Sequence, residues 1–367
     1  VFTATSFAGS GANLTGISSV TAIDGLSDGT TSGTRNLGLG SNAVDSITSA
    51  ADNVGIGLDA LTALTEGNEN VAVGGYAMAA LTTGEDNTAL GKNALTQTTT
   101  GDDNTAIGYK ALQANTTAIK NTAVGSGALY SNITGDLNTS VGYNALQANT
   151  IGDRSVAVGY QALLVQEPSS NADMLNTAIG FNAMVSSTTG IDNTAVGGYA
   201  LDANTTASYN TAVGKSALTS NTTGAQNTAV GKGALGGNTT GANNTSVGYN
   251  ALDANTTSSN NTAVGRNALT ANTAANNTAV GYQSLAANTT GWDNVAVGRD
   301  SIDANTSGNN NTAIGNYTLS TNTTASNNTA LGYATLQYNT TGADNVAVGF
   351  NSLLANTTAS NNTAVGK

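Results

Sequence analysis

Carboxylates recur at a fixed interval in this chain, and a row of oxygen ligands is the first chemistry that such spacing suggests. Asp52, Glu69, Asp86 and Asp103 stand 17 residues apart, and Asp192, Asp293 and Asp344 occupy equivalent places farther on. If the chain stacks at that interval, the first four line one ridge that could hold Ca²⁺. Lys120, Leu137 and Arg154 interrupt the row at the same position, so a solvated acidic edge that keeps the molecule soluble accounts for it equally well. The adjacent pair Asp102 and Asp103 raises glycan hydrolysis by two carboxylates, but neighbours in an extended chain point to opposite sides. Cysteine and histidine are absent, which removes thiolate zinc sites, disulfides, a cysteine nucleophile and an imidazole base. No catalytic residue, cofactor or metal site is therefore assigned, and the chain is read as a non-enzyme.

Two further residue sets could bind ligands. Tyr109, Tyr143, Tyr160, Tyr249, Tyr282 and Tyr333 each follow a recurring glycine, forming a broken aromatic stripe that could stack on sugars or simply cover a corner of the fold. Asn-Thr-Thr occurs at Asn115, Asn204, Asn221, Asn238, Asn255, Asn288, Asn322, Asn339 and Asn356. Each is formally a glycosylation acceptor, although stacked turns explain the recurrence as well. Ten basic against 22 acidic residues give a net charge of -12, the wrong sign for a phosphate backbone, so no nucleic-acid partner is expected. No apolar run reaches the roughly 20 residues of a membrane span, and no charged-then-apolar signal segment opens the chain. A chain that opens on Val1 and stops at Lys367 in mid-motif is expected to be part of a longer polypeptide.

The elements that must position these residues follow from the repeat. Gly40, Gly57, Gly74, Gly91, Gly108, Gly125, Gly142 and Gly159 are 17 residues apart; the interval then gains four residues to Gly180. Gly197, Gly214, Gly231, Gly248 and Gly265 follow, one residue is lost before Gly281, and Gly298, Gly315, Gly332, Gly349 and Gly366 complete the array. The unit reads approximately N-T-A-V-G-Y-N-A-L-x-A-N-T-T-G-x-N. It is too short for a helix pair, whose smallest common repeats need about 33 residues. The β-branched T-A-V run predicts a short strand, the apolar residue four past the glycine (Leu95, Leu112, Leu129) predicts a second extended piece, and N-T-T-G predicts a turn. Such a unit closes its backbone hydrogen bonds only by stacking on its copy, at about 4.8 Å per coil.

The expected fold is therefore all-β: a β-solenoid, or β-roll, of about 19 coils and roughly 90 Å. Residues 1–35 form an N-terminal connecting segment and residues 36–367 the solenoid shaft, with an insertion near 165–172 that carries the only proline, Pro168. The glycine column is read as structural, needing positive φ or space where a Cβ would stand. Two residues before it the chain is small, at Ala72, Ala89, Ala106, Ala123, Ala157 and Ala178. This column is expected on the outer face, where it would let identical chains approach around a common axis as a parallel homotrimer; a monomer whose alanines fit a tight coil is the alternative.

The N-T-A-V-G and N-T-T-G arrays resemble those of phage tail-fibre shafts and, more loosely, the β-roll heads of trimeric autotransporter adhesins. The opening F-A-G-S-G-A-N-L-T-G-I, Phe7 to Ile17, is similar to a segment of phage fibre proteins. The resemblance covers nearly the whole chain and implies a homotrimeric extracellular fibre of the virion, used for host attachment through a cell-surface glycan or protein at a tip outside this stretch. It carries over no catalytic residue. A bacterial cell-surface trimeric adhesin or extracellular filament is the alternative, and the regular threonines raise an ice-binding solenoid as a third reading. The present unit is longer than that of the adhesin heads, which leaves the handedness of winding open.

Overall fold

One three-residue strand forms in every unit, as at Thr88–Leu90, Thr105–Ile107 and Thr122–Val124. The structure, a computed structural model, describes residues 35–367 and the backbone of a short strand at Leu26–Ser27; the segment Phe7 to Ile17 lies outside the described residues. Twenty such strands, from Leu37–Leu39 to Thr363–Val365, lie side by side in one parallel sheet. Register is strict: Thr88 sits over Thr105, Ala89 over Ala106 and Leu90 over Ile107. Leu26–Ser27 pairs antiparallel with the first of these strands and covers that edge of the sheet. The described residues contain no helix. The chain is thus an all-β parallel solenoid of about 19 turns with a 17-residue repeat.

The second extended piece is not there. The segment after the glycine is a turn, and the large apolar residue within it adopts left-handed backbone, as at Leu95 and Leu112 (φ 51° each). Bulky residues avoid this region, so the fold holds a cost at every coil. What offsets it is a hydrogen bond and burial: the Leu95 N–H donates to the Ala111 carbonyl of the next coil at 3.1 Å, and the side chain is fully enclosed. Left-handed backbone also occurs two residues past the glycine and five before it, at Asn93 and Asp86 for instance. These three residues and the glycine turn the chain through its corners.

The interior is narrow. A typical coil sends inward the alanine two residues before the glycine, the alanine three residues after it, the leucine beyond that and two asparagines, as Ala106, Ala111, Leu112, Asn104 and Asn115 do, with Leu64, Leu81 and Thr98 in place of the second asparagine in early coils. The placement of Ala72, Ala89, Ala106, Ala123, Ala157 and Ala178 on an outer face is accordingly corrected: all six are wholly buried within their own chain. The Val, Ile or Leu beside them faces out instead. Leucine from the opposite wall already fills the lumen, so a methyl group is what fits across from it. Ser140 and Ser246 stand in this column and donate their hydroxyls to Ala145 and Ala251 carbonyls at 2.7 Å, which satisfies them without widening the coil.

The glycines line one corner with φ from 125° to 141°. A Cβ on Gly91 would lie 2.5 Å from the Gly108 carbonyl oxygen of the adjacent coil, so both conformation and space require glycine there.

Candidate functional site

Asparagine columns occupy the positions where polar chemistry is most concentrated, and they are spent on the fold. The Asn70 side chain accepts from the backbone N–H of Asn87 at 3.0 Å and from its amide at 3.1 Å, while donating to Asn53 at 3.0 Å and to the Gly84 carbonyl at 2.9 Å. Repeated down the stack, this ladder satisfies inward-facing backbone groups that otherwise would be stranded. A second ladder runs through Asn204, Asn221, Asn238 and Asn255, with amide-to-carbonyl distances of 3.2, 2.8 and 3.0 Å. Eight of the nine Asn-Thr-Thr asparagines are buried in it, Asn356 being partly exposed, so their recurrence has a structural cause. The following threonines form a third ladder, Thr82 donating to the Thr99 carbonyl at 3.0 Å.

The insertion leaves the sheet intact. Val156–Val158 pairs directly with Thr177–Ile179, so the extra residues bulge out, and Gly152–Asp153 pairs with Ala172–Asp173 at the base of the bulge. Here the two asparagine columns change together: Ser155 stands in one and Gln166 in the other. The longer amide reaches across, donating to Ser155 Oγ at 2.9 Å and Asn149 at 3.2 Å and accepting from Asn176 at 2.9 Å.

The acidic ridge is stacked as its spacing predicts. Asp52 pairs with Arg35, whose hydrogen bond and charge hold the Asp52 carboxyl below the ordinary carboxylate range. Glu69 is pushed up, chiefly by a hydrogen bond with Asp86 and by its charge. Among the described residues no group of three or more His, Cys, Asp or Glu is arranged to hold a metal ion. Asp102 and Asp103 do not converge: Asp102 accepts the Glu85 N–H at 2.9 Å, and Asp103 takes left-handed backbone.

In the tyrosine stripe, ring faces are turned on one another or on cations. Tyr143 and Tyr160 stack at 5.5 Å, and Tyr160 and Phe181 at 5.1 Å. Lys232 and Arg266 lie over Tyr249, and Arg266 also over Tyr282. A sugar needs a free ring face, and a ring inside a stack, such as Tyr160 between Tyr143 and Phe181, offers outward only its edge. One shallow notch of about 370 Å³ opens where Ser126 and Gly127 replace larger residues between Tyr109, Tyr130 and Tyr143.

Sequence reasoning missed the outward apolar column. It runs without interruption by a polar residue from Leu39 to Val365; Leu90, Ile107, Ile179, Val213, Val230, Ile314 and Leu331 are between 36% and 48% exposed, and most other members are partly buried. Thr or Val, or Leu37 in the first strand, stands two residues before each member and shares its face. The signal that could have found it is the constancy of Val, Ile or Leu where a solvent-facing strand position would ordinarily be polar.

No protein family matches the chain, and no characterised protein is significantly similar to it. What the fold itself defines is a β-solenoid repeat protein. No helix among the described residues is long and apolar enough to cross a membrane.

Proposed function

We propose that the chain is a structural and adhesive rod, the shaft of a phage tail fibre, in which three parallel copies hold a receptor-binding tip away from the particle. The observation that carries this reading is the unbroken column of outward-facing, at least partly exposed Val, Ile and Leu along one sheet face. A monomer has no use for so long an apolar stripe, whereas a second copy buries it. The copies meet through this face rather than through the alanines, which are already enclosed. Further support comes from what the polar side chains do: asparagine and threonine ladders serve backbone satisfaction, and the stack has the directional, uniform construction of a spacer. The resemblance of the N-T-A-V-G arrays to tail-fibre shafts points the same way, and the target of the tip is a host cell-surface glycan or protein.

Sedimentation equilibrium tests the assembly. The chain is expected to behave as a trimer, and Val213→Lys with Val230→Lys is expected to weaken association at least tenfold while leaving the β-type circular dichroism unchanged. A monomeric wild-type chain, or an undiminished trimer in the double variant, contradicts the reading.

A further inference from the structure

The two edges that border the apolar face differ in chemistry. The residue five before each glycine lies at the entry to the strand, and the residue one after it lies at the exit. Six of the ten basic residues take the exit position, Lys92, Lys215, Lys232, Arg266, Arg299 and Lys367, and no acid does. The entry position carries seven acids, Asp52, Glu69, Asp86, Asp103, Asp192, Asp293 and Asp344, against three bases, Arg35, Lys120 and Arg154.

Opposite charges stand on the two edges of the same coil twice, while the other acidic entries, Asp52, Glu69, Asp103, Asp192 and Asp344, share their coils with Leu58, Gly75, Tyr109, Gly198 and Phe350. Asp86 enters the coil that Lys92 leaves, and Asp293 the coil that Arg299 leaves. Where the entry residue is leucine, the exit residue is aromatic: Leu137 with Tyr143 and Leu175 with Phe181, all four between 44% and 50% exposed. Tyr209 goes with Lys215 and Arg154 with Tyr160, both cation–aromatic combinations. No coil of the array sets like charges on its two edges. Within one chain these partners stand on opposite sides of the strand; the ion pairs among the described residues are Arg35–Asp52, Arg154–Asp173 and Arg299–Asp300.

We infer that the entry edge of one copy packs against the exit edge of the next copy at the same coil, so that the rods associate parallel, in register and by a heterologous interface. This rests on the shaft reading above and names how its copies recognise one another. Rotation about an axis along the rod brings entry edge to exit edge at equal height, and heterologous contacts of this kind close into rings. An antiparallel arrangement that buried the same face would set acid against acid. The apolar column supplies the buried centre, and the edges supply direction and register.

The absence of cysteine from the sequence makes the pairing directly readable. Asp293→Cys and Arg299→Cys are made singly, co-expressed as two singly substituted chains, and combined in one chain, then treated at low concentration with a short bis-maleimide that spans an Arg–Asp side-chain pair. Both sites are on the surface, so the fold is expected to persist, and circular dichroism verifies it. Covalent dimers from the co-expressed pair, larger covalent rings from the doubly substituted chain and no products from either single substitution support the inference. Self-linking of either single variant overturns it, because like edges then meet. An oligomer that links in none of these cases overturns it also, while leaving the shaft reading intact. A chain that sediments as a monomer overturns the shaft reading and this pairing with it.

Discussion

Asp303 is the residue whose surroundings suit its charge least. Burial, with a smaller contribution from the Asp300 charge, pushes its carboxyl up to about 6, and one carboxylate oxygen has no partner. A raised folded-state value means that the folded chain holds the proton more tightly than the unfolded one. Its contribution to stability is therefore complete below the ordinary carboxylate value near 3.9 and is lost as pH climbs through about 6. Asp303→Asn is expected to melt higher than the parent at pH 7.5, with the difference closing by pH 4. A thermal series across that range measures it, and a difference independent of pH contradicts the assignment. Asp202 and Asp253 occupy the same place in their coils and are raised by burial in the same direction. At this scale much was legible in the sequence: the recurrence of glycine announced the corner at which no Cβ fits. Alternation identified the two faces of T-A-V but not which one is inside, since that depends on Leu112 and its equivalents filling the lumen from the far wall.

Elements in this fold are held by columns rather than by individual contacts, and the insertion shows how a column tolerates change. Ser155 and Gln166 replace two asparagines in neighbouring ladders, the extra length of one compensating the shortness of the other. Ser155→Asn alone crowds Gln166, and Gln166→Asn alone leaves Ser155 and Asn176 without their partner. Each is expected to lower stability by about 1–3 kcal/mol, and the double variant to recover most of it, giving a coupling of at least about 1 kcal/mol. Denaturant melts of the four chains test this, and simple additivity contradicts it. The strand and its 17-residue register could be read from the sequence because stacking sets each residue over its copy. The second extended piece could not: apolar character at Leu95 predicts burial, whereas its left-handed backbone is imposed by closure of a short coil. The inner ladder had a signal too, since Asn occupies that position in nearly every coil, from Asn36 to Asn362, a constancy that solvent-facing asparagine does not need.

The whole molecule follows from one-dimensional stacking, in which each coil touches only its neighbours and length is set by their number. A chain of this size folded as a globule has a radius of gyration near 21 Å, roughly the same in every direction. The stack instead extends about 4.8 Å for every 17 residues at constant girth. Small-angle scattering from the parent and from a variant lacking three complete repeats, for instance those between Gly214 and Gly265, separates the two. The solenoid predicts that the longest dimension falls by about 14 Å while the cross-sectional radius stays the same. Shrinkage of length and cross-section together, as a compact body gives, contradicts the stacked coil and everything built on it.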